Sequence, residues 1–137
     1  MRNNTMPAAV RGVSLIEVLV AMTIFAFGVL GMLGMQARAI TFFSDSKNRT
    51  DAALLSDALI NDIWVNRANM ANYAYAGGAA PALVQPWLSE VKATLPKAAA
   101  TVAVTPATNT VQVTITWTPP NAANQHTHTE IATIQNP

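Results

Sequence analysis

Few folds accommodate the run Val18 to Met35, VLVAMTIFAFGVLGMLGM, in which Thr23 is the only polar side chain. A helix of about eighteen residues spans roughly 27 Å, close to the hydrocarbon thickness of a bilayer, so one membrane helix is expected here. The composition agrees with this: 51% of the 137 residues are hydrophobic and only 11% are charged. Soluble domains carry charge on about a quarter of their residues. At the head of the run sits one acid, Glu17. A carboxylate in hydrocarbon costs several kcal/mol unless it is paired, so its presence asks for a reason. One turn inside a helix, it could snorkel to the headgroups, or it could await a cation.

Arg2 and Arg11 precede the run, with no acidic residue among the first twelve. That asymmetry keeps the N-terminal end cytoplasmic and sends everything after Met35 outward. An ordinary secretory signal would carry a shorter apolar region followed by a small-x-small cleavage site. Ala37-Arg38-Ala39 is a weak version of such a site, but the run is too long, begins with Glu17, and continues beyond Ala39 as helix without a break.

The residues R-G-V-S-L-I-E-V-L-V-A-M, Arg11 to Met22, resemble the cleavage and methylation motif of type IV pilins and pseudopilins: a short basic leader ending in glycine, then an apolar helix with glutamate at its fifth position. Val13 stands where most family members have phenylalanine. The resemblance implies that a prepilin peptidase cuts between Gly12 and Val13 and that the new amino terminus on Val13 is N-methylated. It also implies that Glu17 faces the charged amino terminus of a neighbouring subunit in the filament. At low dielectric such a pair is worth far more than in water, which would select assembly in register.

Beyond Met35 the pattern becomes amphipathic. Leu55, Leu59, Ile63 and Met70 recur at helical spacings, flanked by Leu54, Ile60 and Trp64, with Arg49, Asp51, Asp57, Asp62 and Arg67 on other faces. No proline or glycine interrupts Gln36 to Ala76, so one helix of about sixty residues is expected from Val13 to Ala76, ended by Gly77-Gly78. Gly28, Gly31 and Gly34 fall three apart within its apolar half. They could form a close-packing face or a point of local unwinding, or reflect the frequency of glycine in membrane helices.

A short helix is expected over Pro86 to Leu95, with Trp87, Leu88, Val91 and Leu95 on one side and Pro96 as its stop. Strict alternation then predicts strands. Val102 and Val104 share a face, as do Val111, Val113, Ile115 and Trp117, with a hairpin loop at Pro106 to Asn109 and a third strand within Thr127 to Ile134. The fold class expected is α+β: a long N-terminal helix packed on a small antiparallel three-stranded sheet with one short helix. The expected organisation is a leader over 1–12, a transmembrane half-helix over 13–35, an amphipathic half over 36–76, and a C-terminal globular part over 77–137.

The segments G-V-L-G-M-L-G-M-Q-A-R-A (Gly28 to Ala39), N-R-A-N (Asn66 to Asn69), W-L-S-E-V-K-A-T-L-P (Trp87 to Pro96) and V-Q-V-T-I-T-W resemble the PilV-type minor pilins, also called type IV pilus modification proteins. That likeness implies a low-abundance subunit of a priming or tip complex that promotes pilus assembly. Its partners would be other minor and major pilins, the prepilin peptidase, the inner-membrane assembly machinery and the lipid bilayer. Its location would be the inner membrane, with the C-terminal part in the periplasm, and then the filament. The rivals are a minor pseudopilin of a type II secretion system, a small binding domain released near Ala39, and an unprocessed single-pass protein.

Chemistry is not expected. There is no nucleophile elbow and no phosphate loop after a strand, so no catalytic residue and no cofactor is assigned. There is no cysteine, and His126 and His128, with Glu130 in the same parity, are too few for a metal site; two exposed histidines at a strand start are expected instead. Asp45, Asp51, Asp57 and Asp62 read as a solvated helix face. With a formal net charge of +1 and no basic stretch interleaved with aromatics, nucleic acid is not an expected partner. Asn3-Asn4-Thr5 and Asn48-Arg49-Thr50 match glycosylation sequons. Trp64, Trp87 and Trp117 are expected in the core, unless exposure marks one of them as a partner surface.

Overall fold

The computed structural model describes residues 13–120 and 124–135. Gly12 and the rest of the expected leader lie outside them. The chain divides into two compact units, Met1–Phe42 and Phe43–Pro137. Helix α1 covers Val13–Val65 and contributes to both.

The second unit is an α+β domain. After α1 come a 3₁₀ segment over Arg67–Tyr73, helix α2 over Gln85–Thr94, and strands β1 (Ala99–Thr105), β2 (Thr110–Trp117) and β3 (His126–Thr133). The sheet is antiparallel, in the order β1-β2-β3. The Val/Thr alternation of β2 places Val111, Val113, Ile115 and Trp117 on one fully buried face. Ala52, Leu55, Leu59, Ile60 and Ile63 of α1 belong to the same core, as do Trp87, Leu88 and Val91 of α2. Trp87 also donates its ring N–H to the Leu55 carbonyl at 2.8 Å, tying α2 to α1 through a buried hydrogen bond. The β1–β2 hairpin turns through Pro106–Thr108 and closes on Asn109, whose φ of 51° is left-handed, a conformation asparagine tolerates. The Asn109 carbonyl then accepts from the Ile134 amide at 2.7 Å, which pins the end of β3 beside the hairpin.

The single helix expected to reach Ala76 ends instead at Val65. The buried Tyr73 hydroxyl donates to Asp62 Oδ2 at 2.8 Å and accepts from Asn66 Nδ2 at 3.2 Å. In an unbroken helix, residues 62 and 73 would stand about 16 Å apart along the axis, so this contact requires the chain to fold back. Asn66 and Asn69 make that possible. Their side chains hydrogen-bond to each other at 2.8 Å, Asn69 has non-helical dihedrals, and asparagine competes with helix by such local bonding. Gly77 and Gly78, at φ of 114° and 86°, therefore shape the loop after Tyr75 rather than cap α1. Tyr75 bridges Val102 through two backbone hydrogen bonds and covers part of the outer edge of β1.

Burial holds the Tyr73 phenol above the ordinary tyrosine value; the Asp62 carboxylate adds to this, and the Asn66 bond opposes it. The folded state thus holds this proton more tightly than the unfolded chain does. The associated stability is present below the ordinary tyrosine range and is lost as pH rises through it. Tyr73→Phe should lower stability at neutral pH by about 1–2 kcal/mol and flatten its alkaline decline, as read from urea unfolding at a series of pH values.

Candidate functional site

In the first unit none of the described residues covers the helix: every described side chain from Leu15 to Phe42 is exposed, including Leu15, Ile16, Phe25 and Phe27 at 63–70%. Exposed apolar side chains all round a helix point to lipid or to other helices rather than to water. α1 is long and apolar enough to cross a membrane. Two of its hydroxyls are satisfied locally: that of Thr23 donates to the Leu19 carbonyl at 2.7 Å and that of Thr41 to the Ala37 carbonyl at 3.2 Å, so neither needs water.

Among the described residues α1 runs from Val13, and Glu17 on it is exposed. The next ionisable residue is Arg38, and the 21 intervening steps correspond to about 32 Å of helix. Glu17 and Arg38 thus bracket a stretch matched to bilayer hydrocarbon. Gly28, Gly31 and Gly34 lie within it, and a Cβ added at any of them would meet no atom within 4 Å. Packing among the described residues gives no reason for their small size.

Residues 8–33 match the family model described as "Prokaryotic N-terminal methylation motif". The N-terminal segment thus carries a methylation motif. The match includes Gly12, Val13, Glu17, Gly28 and Gly31, while Gly34 falls just beyond it. It supports a type IV pilin-like or pseudopilin-like protein: a structural subunit rather than an enzyme, membrane-anchored, processed by prepilin peptidase and interacting with other pilins. No curated protein and no solved structure shows significant similarity to the chain.

The second unit holds a polar seam that sequence reading missed. His126 and His128 are not exposed: their side chains retain 22% and 29% accessibility. Register explains why. Trp117, Ile115 and Val113 pair with His126, His128 and Glu130, and cross-strand partners point to the same side. Burial of the β2 residues therefore turns two histidines and a glutamate inward, while Ile131 is left 64% exposed on the outer face. His126 stacks on Trp117 with ring centroids 5.6 Å apart. Its Nδ1 lies 2.8 Å from Arg49 Nη2, and its Nε2 lies 3.6 Å from Asp45 Oδ1. Arg49 Nε also donates to Asp45 Oδ2 at 3.2 Å.

The acids of α1 are consequently more than a solvated face: Asp45 pairs with Arg49, Asp51 with Lys47, and Asp62 with Tyr73. Among the described residues, no group of three or more His, Cys, Asp or Glu side chains is arranged to hold a metal ion. Trp87 and Trp117 are buried, whereas Trp64 is 38% exposed beside the almost fully exposed Val65. Asn48 is only 7% exposed in the folded chain, which leaves its sequon inaccessible, and Asn3 lies outside the described residues.

Proposed function

We propose that this chain is a PilV-type minor pilin, a structural subunit that promotes type IV pilus assembly in a priming or tip complex. The methylation-motif match over residues 8–33 carries the pilin-like part of this reading, and it is supported by a long helix whose described apolar side chains from Leu15 to Phe42 are exposed. Prepilin peptidase cuts after Gly12, Val13 becomes the methylated amino terminus, and the helix anchors in the inner membrane with the second unit in the periplasm. On assembly the apolar half leaves lipid for the filament core. Glu17 then pairs with the Val13 amine of an adjacent subunit, and Gly28, Gly31 and Gly34 admit neighbouring helices closely. Loss of Arg2 and Arg11 leaves six basic against seven acidic side chains, a formal charge of −1, so bulk charge contributes little to docking. The partners are other minor and major pilins and the inner-membrane assembly machinery, with no role for nucleic acid.

The same motif supports a second reading, a minor pseudopilin of a type II secretion system. The G-V-S-L-I-E start and the Trp87 to Pro96 segment favour the pilus. Mass spectrometry of the native N-terminus tests the processing: a chain beginning at methylated Val13 is expected, and Gly12→Val should leave an uncut precursor. A native chain that keeps Met1, or begins near Ile40, overturns the proposal. Recovery of the subunit in sheared pili separates pilus from secretion system.

A further inference from the structure

Between Val18 and Phe42, α1 carries a single charge, Arg38. That stretch rises about 36 Å, more than the roughly 30 Å of bilayer hydrocarbon but less than the 40–45 Å that includes the headgroups. Arg38 stands one turn inside its C-terminal end. Beyond it Ile40 and Phe42 are 71% and 75% exposed, and the Thr41 hydroxyl is already bonded to the Ala37 carbonyl. Arg38 is itself exposed, and no acid pairs with it among the described residues. The neighbours of this turn are constrained by its shape. Ile40 and Phe42 project about 160° apart around the helix axis, so one protein surface would cover only one of them, whereas lipid surrounds both. A guanidinium left unpaired at hydrocarbon depth is costly, and its planar fork of donors matches a phosphate.

We propose that Arg38 binds a lipid phosphate, and that Ile40 and Phe42 are seated in the headgroup layer beside it, fixing the depth of α1 in the bilayer. The rise from Val18 to Arg38, about 30 Å, then fills the hydrocarbon. The inference rests on the membrane-anchored reading above and moves the outer limit of the lipid-contacting helix from Met35 to Phe42. It also gives the cation a partner before any assembly. Transfer of α1 out of lipid has to break the guanidinium–phosphate contact, so Arg38 resists extraction as well as setting depth.

The chain has no cysteine, so one can be introduced at a chosen site and labelled with an environment-sensitive fluorophore. The full chain is reconstituted in vesicles of phosphatidylethanolamine and phosphatidylglycerol. A label at Phe42→Cys should be quenched by lipids spin-labelled near the headgroup and spared by aqueous iodide. A label at Phe27→Cys should respond to lipids spin-labelled deep in the acyl chain, and one at Thr101→Cys, on an exposed position of β1, to iodide. Arg38→Leu should carry the Phe42→Cys label deeper by about 5 Å, one helical turn, while Arg38→Lys keeps its depth by keeping a cation that reaches the headgroups. Nuclear magnetic resonance of guanidino-nitrogen-labelled arginine in the same vesicles should show dephasing by lipid phosphorus that Arg38→Lys removes. Iodide quenching at Phe42→Cys equal to that at Thr101→Cys overturns the proposal, as does a label there shielded from both quenchers. So does a depth indifferent to Arg38→Leu, or a phosphorus effect that Arg38→Lys leaves unchanged. A label at Phe27→Cys that escapes the deep quencher overturns instead the membrane-anchored reading itself.

Discussion

Glu17→Ala should leave membrane insertion unharmed while reducing incorporation into filaments about a hundredfold, from the roughly 3 kcal/mol at stake when one partner of a buried ion pair is removed. Insertion is spared because the substitution makes the apolar stretch longer, and the only other polar side chain before Gln36 that the structure describes, Thr23, already bonds to the Leu19 carbonyl. Incorporation suffers because the amine of an adjoining Val13 would enter the filament interior with no counter-charge. The measurement pairs the membrane-fraction abundance of mutant and wild type with their abundance in sheared pili, quantified by peptide mass spectrometry. Equal recovery in pili would remove the role assigned to the carboxylate, although cleavage after Gly12 could still stand. Reduced membrane abundance would mean instead that Glu17 acts at insertion.

The parts of this molecule that could be read from sequence are those fixed by local pattern. The motif around Gly12, Val13 and Glu17 is contiguous, and the family match falls on it. The Val/Thr alternation of β2 decides its own buried face, because a strand has only two faces and one must meet the core. Leu55, Leu59 and Ile63 likewise mark the buried stripe of α1. What escaped reading depends on contacts distant in sequence. Nothing in Asn66 to Tyr73 announces that the Tyr73 hydroxyl will return to Asp62, and without that bond helix is the natural continuation. β3 escaped for a similar reason. By composition its apolar residue, Ile131, should face inward, but pairing with β2 sets the register and sends His126, His128 and Glu130 there instead. The hydrogen bond from Arg49 helps make the inward placement of His126 tolerable.

Trp117→Ala should destabilise the second unit by about 3–5 kcal/mol, the usual range for removing a fully enclosed aromatic side chain. Trp117 is 1% exposed at the end of the central strand, where it closes the face begun by Val111, Val113 and Ile115. Its loss opens a cavity in the core and removes the surface on which His126 stacks, so the start of β3 should loosen first. Since small domains are stable by only about 5–15 kcal/mol, a change of this size consumes much of the margin. Ile131→Ala provides the comparison. It is also an apolar truncation within the sheet, but from the outer face, and should shift stability by no more than about 0.5 kcal/mol. Guanidinium unfolding of the full chain in detergent, followed by far-ultraviolet circular dichroism, reads both. Comparable shifts in the two variants would show that the inner face of the sheet is not what holds the domain together. A large gap would confirm that register has placed an apolar residue of β3 outside while polar ones lie beneath α1.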